Sequence, residues 1–330
     1  MASSSGFRSE IDSQRVASGV TPKELSLAIK QAALDVGFSA VGITSAEPFT
    51  EAADRFDAWV AQGSHGMMKY LERGSEKRRD VKNILPSAKS ILSVALNYYT
   101  PQETPKSDSF KISRYAWGED YHEVMSEMLE SLLQKIKQLA PQTEGRYYVD
   151  TGPVLEKEIA ERAGIGWIGK HTNVITREYG SWVFLGEIIV SLDLEPDTKA
   201  NDLCGTCNRC IEACPTDAIT APYQLDATRC IPYLTIELKA DNPIPAELAA
   251  KMEGWVYGCD ICQDVCPWNR FEQETPLAAF APRKENLSLL MNSILSMEQE
   301  EFSKRFTHSP VKRTKLAGLK RNIKAILGIQ

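Results

Sequence analysis

Eight cysteines, Cys204, Cys207, Cys210, Cys214, Cys230, Cys259, Cys262 and Cys266, crowd into 63 positions, and none precedes Cys204. A disulfide scaffold would spread its cysteines through a small secreted chain. Thiolates packed this closely hold metal. The run Cys204-Gly-Thr-Cys207-Asn-Arg-Cys210-Ile-Glu-Ala-Cys214-Pro215 has the spacing C-x2-C-x2-C-x3-C-P. Two-residue gaps let one tight loop aim three sulfurs at a single iron–sulfur cube. The fourth cysteine leaves along a short helix toward a second cube. Zinc would need only four thiolates and no such run. The second run, Cys259-Asp-Ile-Cys262-Gln-Asp-Val-Cys266-Pro267, lacks its first cysteine, and Cys230 is the thiol left to fill that place. By the crossover rule, Cys204, Cys207, Cys210 and Cys266 hold one [4Fe–4S] cluster, and Cys214, Cys230, Cys259 and Cys262 hold the other. Two such clusters carry electrons one at a time; the plainer alternative is that they only staple the fold.

Three polar constellations precede the cysteines. Arg114-Tyr-Ala-Trp-Gly-Glu-Asp-Tyr-His122 gathers aromatics, a glycine and a histidine ahead of a helix, as a pocket loop would. Asp150-Thr-Gly-Pro153 puts an acid at a strand end in a tight turn. Such an acid either sits in a pocket with a raised pKa or caps the next helix. Gly166-Trp-Ile-Gly-Lys-His-Thr-Asn173 would let backbone approach a flat ligand, or is a plain turn. Its glycines follow a helix rather than joining a strand to a helix, so they do not form a dinucleotide fingerprint.

The elements that must position these residues alternate. Thr21-Pro-Lys-Glu24 is a capping box opening a helix that ends at Gly37. Strands are expected at Ala40–Ile43, Ser90–Leu96, Arg146–Asp150, Asn173–Thr176 and Trp182–Val190, and helices at Tyr121–Leu139 and Pro153–Ala163. This order gives an α/β or α+β sheet domain over 21–199, an iron–sulfur module over 200–270 and a helical basic tail over 271–330. Residues 1–20 are polar and read as a flexible start without a signal peptide.

The chain has 330 residues and a formal net charge of −6. From Ser303 onward it carries eight Lys or Arg and no acid, which leaves −14 on the rest. A basic tail on an acidic body is either an anion-binding face or a solvated helix face. No apolar run is long enough to span a bilayer, so no membrane partner is expected.

Together these stretches resemble the epoxyqueuosine reductases, which complete queuosine synthesis in bacteria. The resemblance is carried by His65-Gly-Met-Met-Lys-Tyr-Leu71, Tyr115 to His122, Asp150 to Glu156, Gly166 to Asn173, Gly180 to Glu187, both cysteine runs and Pro267-Trp-Asn269. It implies an α+β fold with a cobalamin between a nitroreductase-like domain and a ferredoxin-like two-cluster module. It also implies removal of an epoxide oxygen from a modified tRNA wobble base. On that pattern Asp150 is the proton donor, kept neutral by an apolar cofactor face. Tyr121 and His122 orient the substrate, and Arg73, Lys170 and His171 touch the corrin's polar groups together with Asp150. Lys312, Arg313, Lys315, Lys320 and Arg321 would neutralise anticodon-stem phosphates, with Arg283 and Lys284 extending the track. A monomer in the cytoplasm, fed by a protein donor such as a ferredoxin or flavodoxin, completes the expectation. The rivals are a cobalamin reductive dehalogenase, a non-catalytic iron–sulfur electron-transfer subunit and a flavin reductase on the same scaffold.

Overall fold

The computed structural model describes residues 21–101, 110–287 and 291–329. The expected flexible start at 1–20 lies outside the described residues. Helix α1 (Pro22–Val36) begins with the capping box read from sequence. Thr21 Oγ1 accepts the Glu24 N–H at 3.2 Å, and a Glu24 carboxylate oxygen accepts the Thr21 N–H at 2.8 Å. Strand β1 (Ala40–Ser45), helix α2 (Thr50–Ala61), strand β2 (Ser90–Asn97), helix α3 (Tyr121–Leu139), strand β3 (Gly145–Tyr148), helix α4 (Glu156–Arg162) and strand β4 (Val183–Val190) follow.

The four strands form one sheet in the order β1-β2-β4-β3, and every pairing is antiparallel. Every residue of β2 is buried, because helices cover both faces of the sheet. On one face Leu92, Val94, Leu96 and Ile188 pack against Leu25 and Ile29 of α1 and Met125, Leu129 and Leu132 of α3. On the other, Ile91 and Ile189 meet Phe49, Ile84 and Ile159, while Ala95 and Leu185 meet Ala160 of α4 and Ala163 just past its end. Each fully buried Leu or Ile adds about 1.5–3 kcal/mol, so this layered core fixes where the strand ends emerge.

Two expectations shift in detail. The helix expected from Pro153 starts at Glu156, and the strand expected to end on Asp150 ends at Tyr148. Residues 149–155 are freed as a connection between them. The glycines of Gly166–Asn173 open a short hairpin, Trp167–Ile168 against Val174–Ile175.

The basic C-terminal segment is not a detached tail. Phe302, Phe306, Leu316, Leu319 and Ile323 share a core with Ile112, Trp117, Val256 and Tyr257. Its last helix, α5 (Lys315–Leu327), is bonded through buried Asn322 to the carbonyls of Thr235 and Val256, both at 2.8 Å. Its apolar residues pack inward while its exposed lysines face out.

The cysteine module is fastened to the sheet by amides. Asn269 accepts the Ser181 N–H at 2.7 Å and donates to the Gln263 carbonyl at 2.6 Å. Gln263 in turn donates to the Tyr98 hydroxyl at 3.2 Å. Gly180 makes this approach possible: its φ is +60°, and a Cβ there would lie 2.0 Å from Asn269 Oδ1 and 3.0 Å from Asn269 Cα. Gly180→Ala should therefore cost about 2 kcal/mol. It should lower both the melting temperature and the iron retained per chain after gel filtration. Wild-type values for both would show that the docking is not so constrained.

Candidate active site

Asp150 stands just past β3 in left-handed backbone, φ +55°. The turn closes because residue 152 is glycine; a Cβ there would lie 2.4 Å from the Tyr148 ring. Asp150 is not a helix cap, since α4 begins after Leu155 with no side-chain cap. Its carboxylate takes the Tyr121 hydroxyl at 3.1 Å and His122 Nε2 at 3.3 Å. His122 Nδ1 lies 2.8 Å from Asp120, whose carboxylate also caps α3 by accepting the His122 N–H. Tyr121 is sandwiched between His122 and Phe184, with ring centroids 4.0 and 4.3 Å away.

This arrangement sets the charges. Burial alone would push His122 down, but hydrogen bonds to Asp120 and Asp150 and their charges outweigh it and raise it to about 9. The His122 contact holds Asp150 below the ordinary carboxylate range, against the burial that would raise it; Tyr121 and Arg313 help. These contacts by themselves favour a carboxylate at Asp150 facing an imidazolium at His122. The carboxyls pushed up are its neighbours. Burial and the Asp150 charge raise Glu156 to about 7, and burial together with Glu156 and Asp150 raises Glu187 far above its usual value.

Asp150 lies on the seam of two cavities. One is a groove of about 1650 Å³. Its walls are Phe56 and Trp59 of α2, Tyr70 and Arg73, the Asp150–Glu156 connection, and Tyr223 and Leu225 from the cysteine module. The other is a pocket of about 440 Å³ lined by Tyr115, Asp120, Tyr121, His122, Tyr257, Lys312 and Arg313. Asp150 and Arg313 are common to both. The groove is larger than a drug-sized ligand needs. No histidine, cysteine or methionine is among the described residues that line it.

The thiols form two sets. Burial raises Cys210 to about 11, with Cys266 and Cys204 as its charged neighbours, and Cys266 in turn is raised by burial, Cys204 and Cys207. Cys230 is raised to about 12 by burial and Cys214, and Cys259 by burial, Cys262 and Cys230. Cys210 and Cys266 thus neighbour Cys204, and Cys230 neighbours Cys214 and Cys259. All eight thiols are free. Among the described residues no three His, Cys, Asp or Glu side chains close on a point as a single ion requires; a four-iron cube is wider. Cys262 neighbours Cys210 as well as Cys230, so the two sets adjoin.

Several residues expected to touch ligand are committed elsewhere. Lys170 is buried, and its ammonium donates to the Gly205 and Cys207 carbonyls and to Asn208, at 2.7, 2.9 and 3.1 Å. It braces the first cysteine loop and does not line the groove. His171 is buried away from the groove, held near a pKa of 4 by burial, and its Nδ1 accepts the Asn173 N–H. Arg73 does line the groove. Arg321 donates to the carbonyls of Leu234, Leu238, Lys239 and Asn242. Arg283 holds the carbonyls of Thr307 and His308. Both therefore brace the fold. Arg313 pairs with Glu237 at 2.6 Å, while Lys284, Lys312 and Lys315 are exposed and Lys320 is half-buried.

Comparison with known proteins decides the family. A family model for epoxyqueuosine reductase QueG, DUF1730, matches residues 78–151, and a 4Fe-4S double cluster binding domain matches 203–269. The epoxyqueuosine reductase of Synechocystis sp. is 47% identical over 279 residues, covering 84% of this chain and 96% of that protein. That of Cellulophaga algicola is 45% identical, covering 92% and 98%. The chain belongs to the epoxyqueuosine reductase family. A crystal structure of epoxyqueuosine reductase with an epoxyqueuosine-modified tRNA-Tyr stem loop superposes with a TM-score of 0.86 at 34% identity, covering 92% of this chain and 81% of that one. The Streptococcus thermophilus epoxyqueuosine reductase structure gives 0.83 at 33%, covering 91% and 80%.

Within this family member, sequence reasoning missed Glu156 and Glu187. The signal for Glu187 was present: it is the lone acid in the apolar strand Val183–Val190. Trp59 and Tyr223 of the groove carry no spacing signal, because they converge from distant segments.

The His122 contacts make stability depend on pH. Its folded pKa of about 9 exceeds the ordinary 6.5. The stabilisation is therefore full below about pH 6.5 and is lost as pH rises through about 9. Melting curves of wild type and His122→Gln should differ most in mild acid and converge above that point. A gap that does not vary with pH would assign His122 to packing alone.

Proposed function

We propose that this chain reduces the epoxide of epoxyqueuosine in tRNA to the alkene of queuosine. The observation that carries this reading is the position of Asp150, at once in the wall of a large groove and in the small polar pocket beside it. The groove suits a large flat cofactor, and the pocket suits a nucleobase drawn out of a single-stranded loop. We assign the groove to cobalamin. Its volume, the aromatic side chains of Trp59 and Tyr70 and the polar rim of Arg73 and Tyr223 would hold a corrinoid. When bound, the cofactor supplies the strongly reducing metal centre that the epoxide requires.

The chain's own residues do the rest. Removing the oxygen breaks two C–O bonds, consumes two electrons and two protons, and releases water. Protonated His122 and Asp150 stand 3.3 Å apart, so a proton held on the imidazolium reaches the carboxylate, and from there the leaving oxygen. Tyr121, stacked on Phe184 and His122, keeps that pair in the pocket. The two thiolate sets, loaded with [4Fe–4S] clusters, carry electrons inward singly from a protein donor such as a ferredoxin or flavodoxin. Both sets adjoin the groove, since Asp202, two residues before Cys204, and Asp226, four residues before Cys230, line its wall. In this reading residues 21–199 form the catalytic domain, 200–270 the electron module and 271–330 the tRNA-facing layer of a cytoplasmic monomer. Among the described residues no helix is long and apolar enough to cross a membrane.

Asp150→Asn should keep about eight irons per chain and bind cobalamin, yet lose at least ~100-fold in turnover of an epoxyqueuosine-bearing stem loop. Retained turnover would remove Asp150 from its role, and a wild-type protein inactive on that substrate would remove the reading itself.

The exposed Lys312 and Lys315, beside the pocket mouth and at the start of α5, are assigned to phosphates, together with Lys320, Lys284 and Arg313. Changing Lys312 and Lys315 to Glu should weaken stem-loop binding. It should also reduce the slope of log affinity against log salt by roughly one for each lysine replaced. Unchanged affinity and slope would place the tRNA on another face.

A further inference from the structure

One cation in the groove wall stands apart from the proton chemistry of Asp150. Lys157 is the second residue of α4 and is half-buried where the helix lines the groove. Its Nζ donates to Asn173 Oδ1 at 3.3 Å, and Asn173 Nδ2 donates to Gln263 Oε1 at 3.1 Å. Gln263 directly follows Cys262, and its own Nε2 donates to the Tyr98 hydroxyl at 3.2 Å. Two amides therefore tie the groove-wall cation to the second cysteine run. Lys157 differs from Lys170 in what it meets. Lys170 spends its donors on three oxygens of the first cysteine loop. Lys157 meets one neutral amide oxygen and, among the described residues, pairs with no carboxylate. Its charge is felt at the thiols: burial and the charges of Cys214 and Asp226 push Cys230 up, and Lys157 opposes them. His171, whose ring accepts the Asn173 N–H, is held down to about 4 by burial, with Lys157 adding to it, so the imidazole brings no second charge.

A [4Fe–4S] cluster on four thiolates is an anion, and reduction adds one more negative charge. The charges and hydrogen bonds around such a cluster set its potential. A nearby cation that no carboxylate neutralises favours the reduced form, the more so where burial limits screening. We propose that Lys157 is a positioning residue for the electron: its ammonium, held by Asn173, raises the reduction potential of the cluster on Cys214, Cys230, Cys259 and Cys262. This rests on the reading that the clusters feed a metal centre in the groove. The two thiolate sets adjoin, so an electron arriving on one distributes between them, and the cation draws it to the set that Lys157 faces. That transfer moves one electron and breaks no bond: one cluster is oxidised as the other is reduced.

The test titrates the iron-loaded full chain, without cobalamin, against redox potential and follows both clusters by electron paramagnetic resonance. In Lys157→Gln and Lys157→Met, which should retain the iron of wild type, one cluster should be about tenfold less reduced at a given potential, a shift of about 59 mV for one electron. The other cluster should move by less than about threefold, and Lys157→Arg should keep both wild-type potentials. No shift in Lys157→Gln and Lys157→Met, or an equal shift of both clusters, would overturn the proposal. A shift in Lys157→Arg as large as in Lys157→Gln would also overturn it, because the residue would then act through its shape and not its charge. In turnover of the epoxyqueuosine stem loop, Lys157→Gln should lower kcat with KM within about twofold. The titration needs neither cobalamin nor substrate, so an inactive wild type would refute the epoxide reading while the potentials still decided the role of Lys157.

Discussion

Asp150 is held at φ +55° by a turn that only glycine at 152 permits, and two side chains, Tyr121 and His122, take its carboxylate. Much of the architecture serves that one placement. The antiparallel sheet carries β3 to the point where the turn begins. Helix α3 starts with the Asp120 cap, so its first two residues, Tyr121 and His122, project at the same spot. Helix α4 starts late, after Leu155, and leaves seven residues free to form the wall between groove and pocket. A carboxylate in left-handed backbone carries a strain of about 1–3 kcal/mol. The imidazolium opposite offsets it, so the same contact that charges the site also keeps the turn closed.

The cysteine module depends on the same sheet. Its second loop reaches the sheet through Gln263 and Asn269, and its first is braced by Lys170 from the hairpin loop below. A lysine buried on three acceptors is a structural cation rather than a ligand contact, because its three donors are already satisfied. The fold thereby fixes the distance between the thiolate sets and the groove. On the proposed reading, electrons enter from the module's side of the groove and protons from the side of α3.

How much of this was legible in the sequence follows from the range of each signal. The cysteine sets, α1 with its capping box, and α3 were legible because their information is local: fixed gaps, a cap, a helical period. Asp150 was legible as an acid in a turn, but its charge state was not. That state is set by His122 and Tyr121, at the start of another helix, and by Arg313 from the C-terminal segment. Lys170, His171, Arg283 and Arg321 looked like surface or ligand residues because sequence shows the cation and not the carbonyls waiting for it. The C-terminal segment read as a basic tail because charge is easier to see than the pattern of Phe302, Phe306, Leu319 and Ile323, which packs it into a core.

The charges of that segment divide by burial. Arg283 and Arg321 are consumed by backbone carbonyls, and Arg313 by Glu237 at the seam of the two cavities. On the proposed reading, exposed lysines such as Lys284, Lys312 and Lys315 meet phosphates most readily. Guanidinium forks suit fixed clusters of carbonyls, whereas the ammonium is a flexible point charge suited to a backbone that must slide into register. On the proposed reading this division has a consequence for the site. An anion drawn to Lys312 comes to the mouth of the pocket beside Arg313, whose charge helps keep Asp150 ionised. Any phosphate that competes with Glu237 and Asp150 for Arg313 withdraws part of that support, so seating the nucleic acid raises the proton affinity of the carboxylate it is about to use.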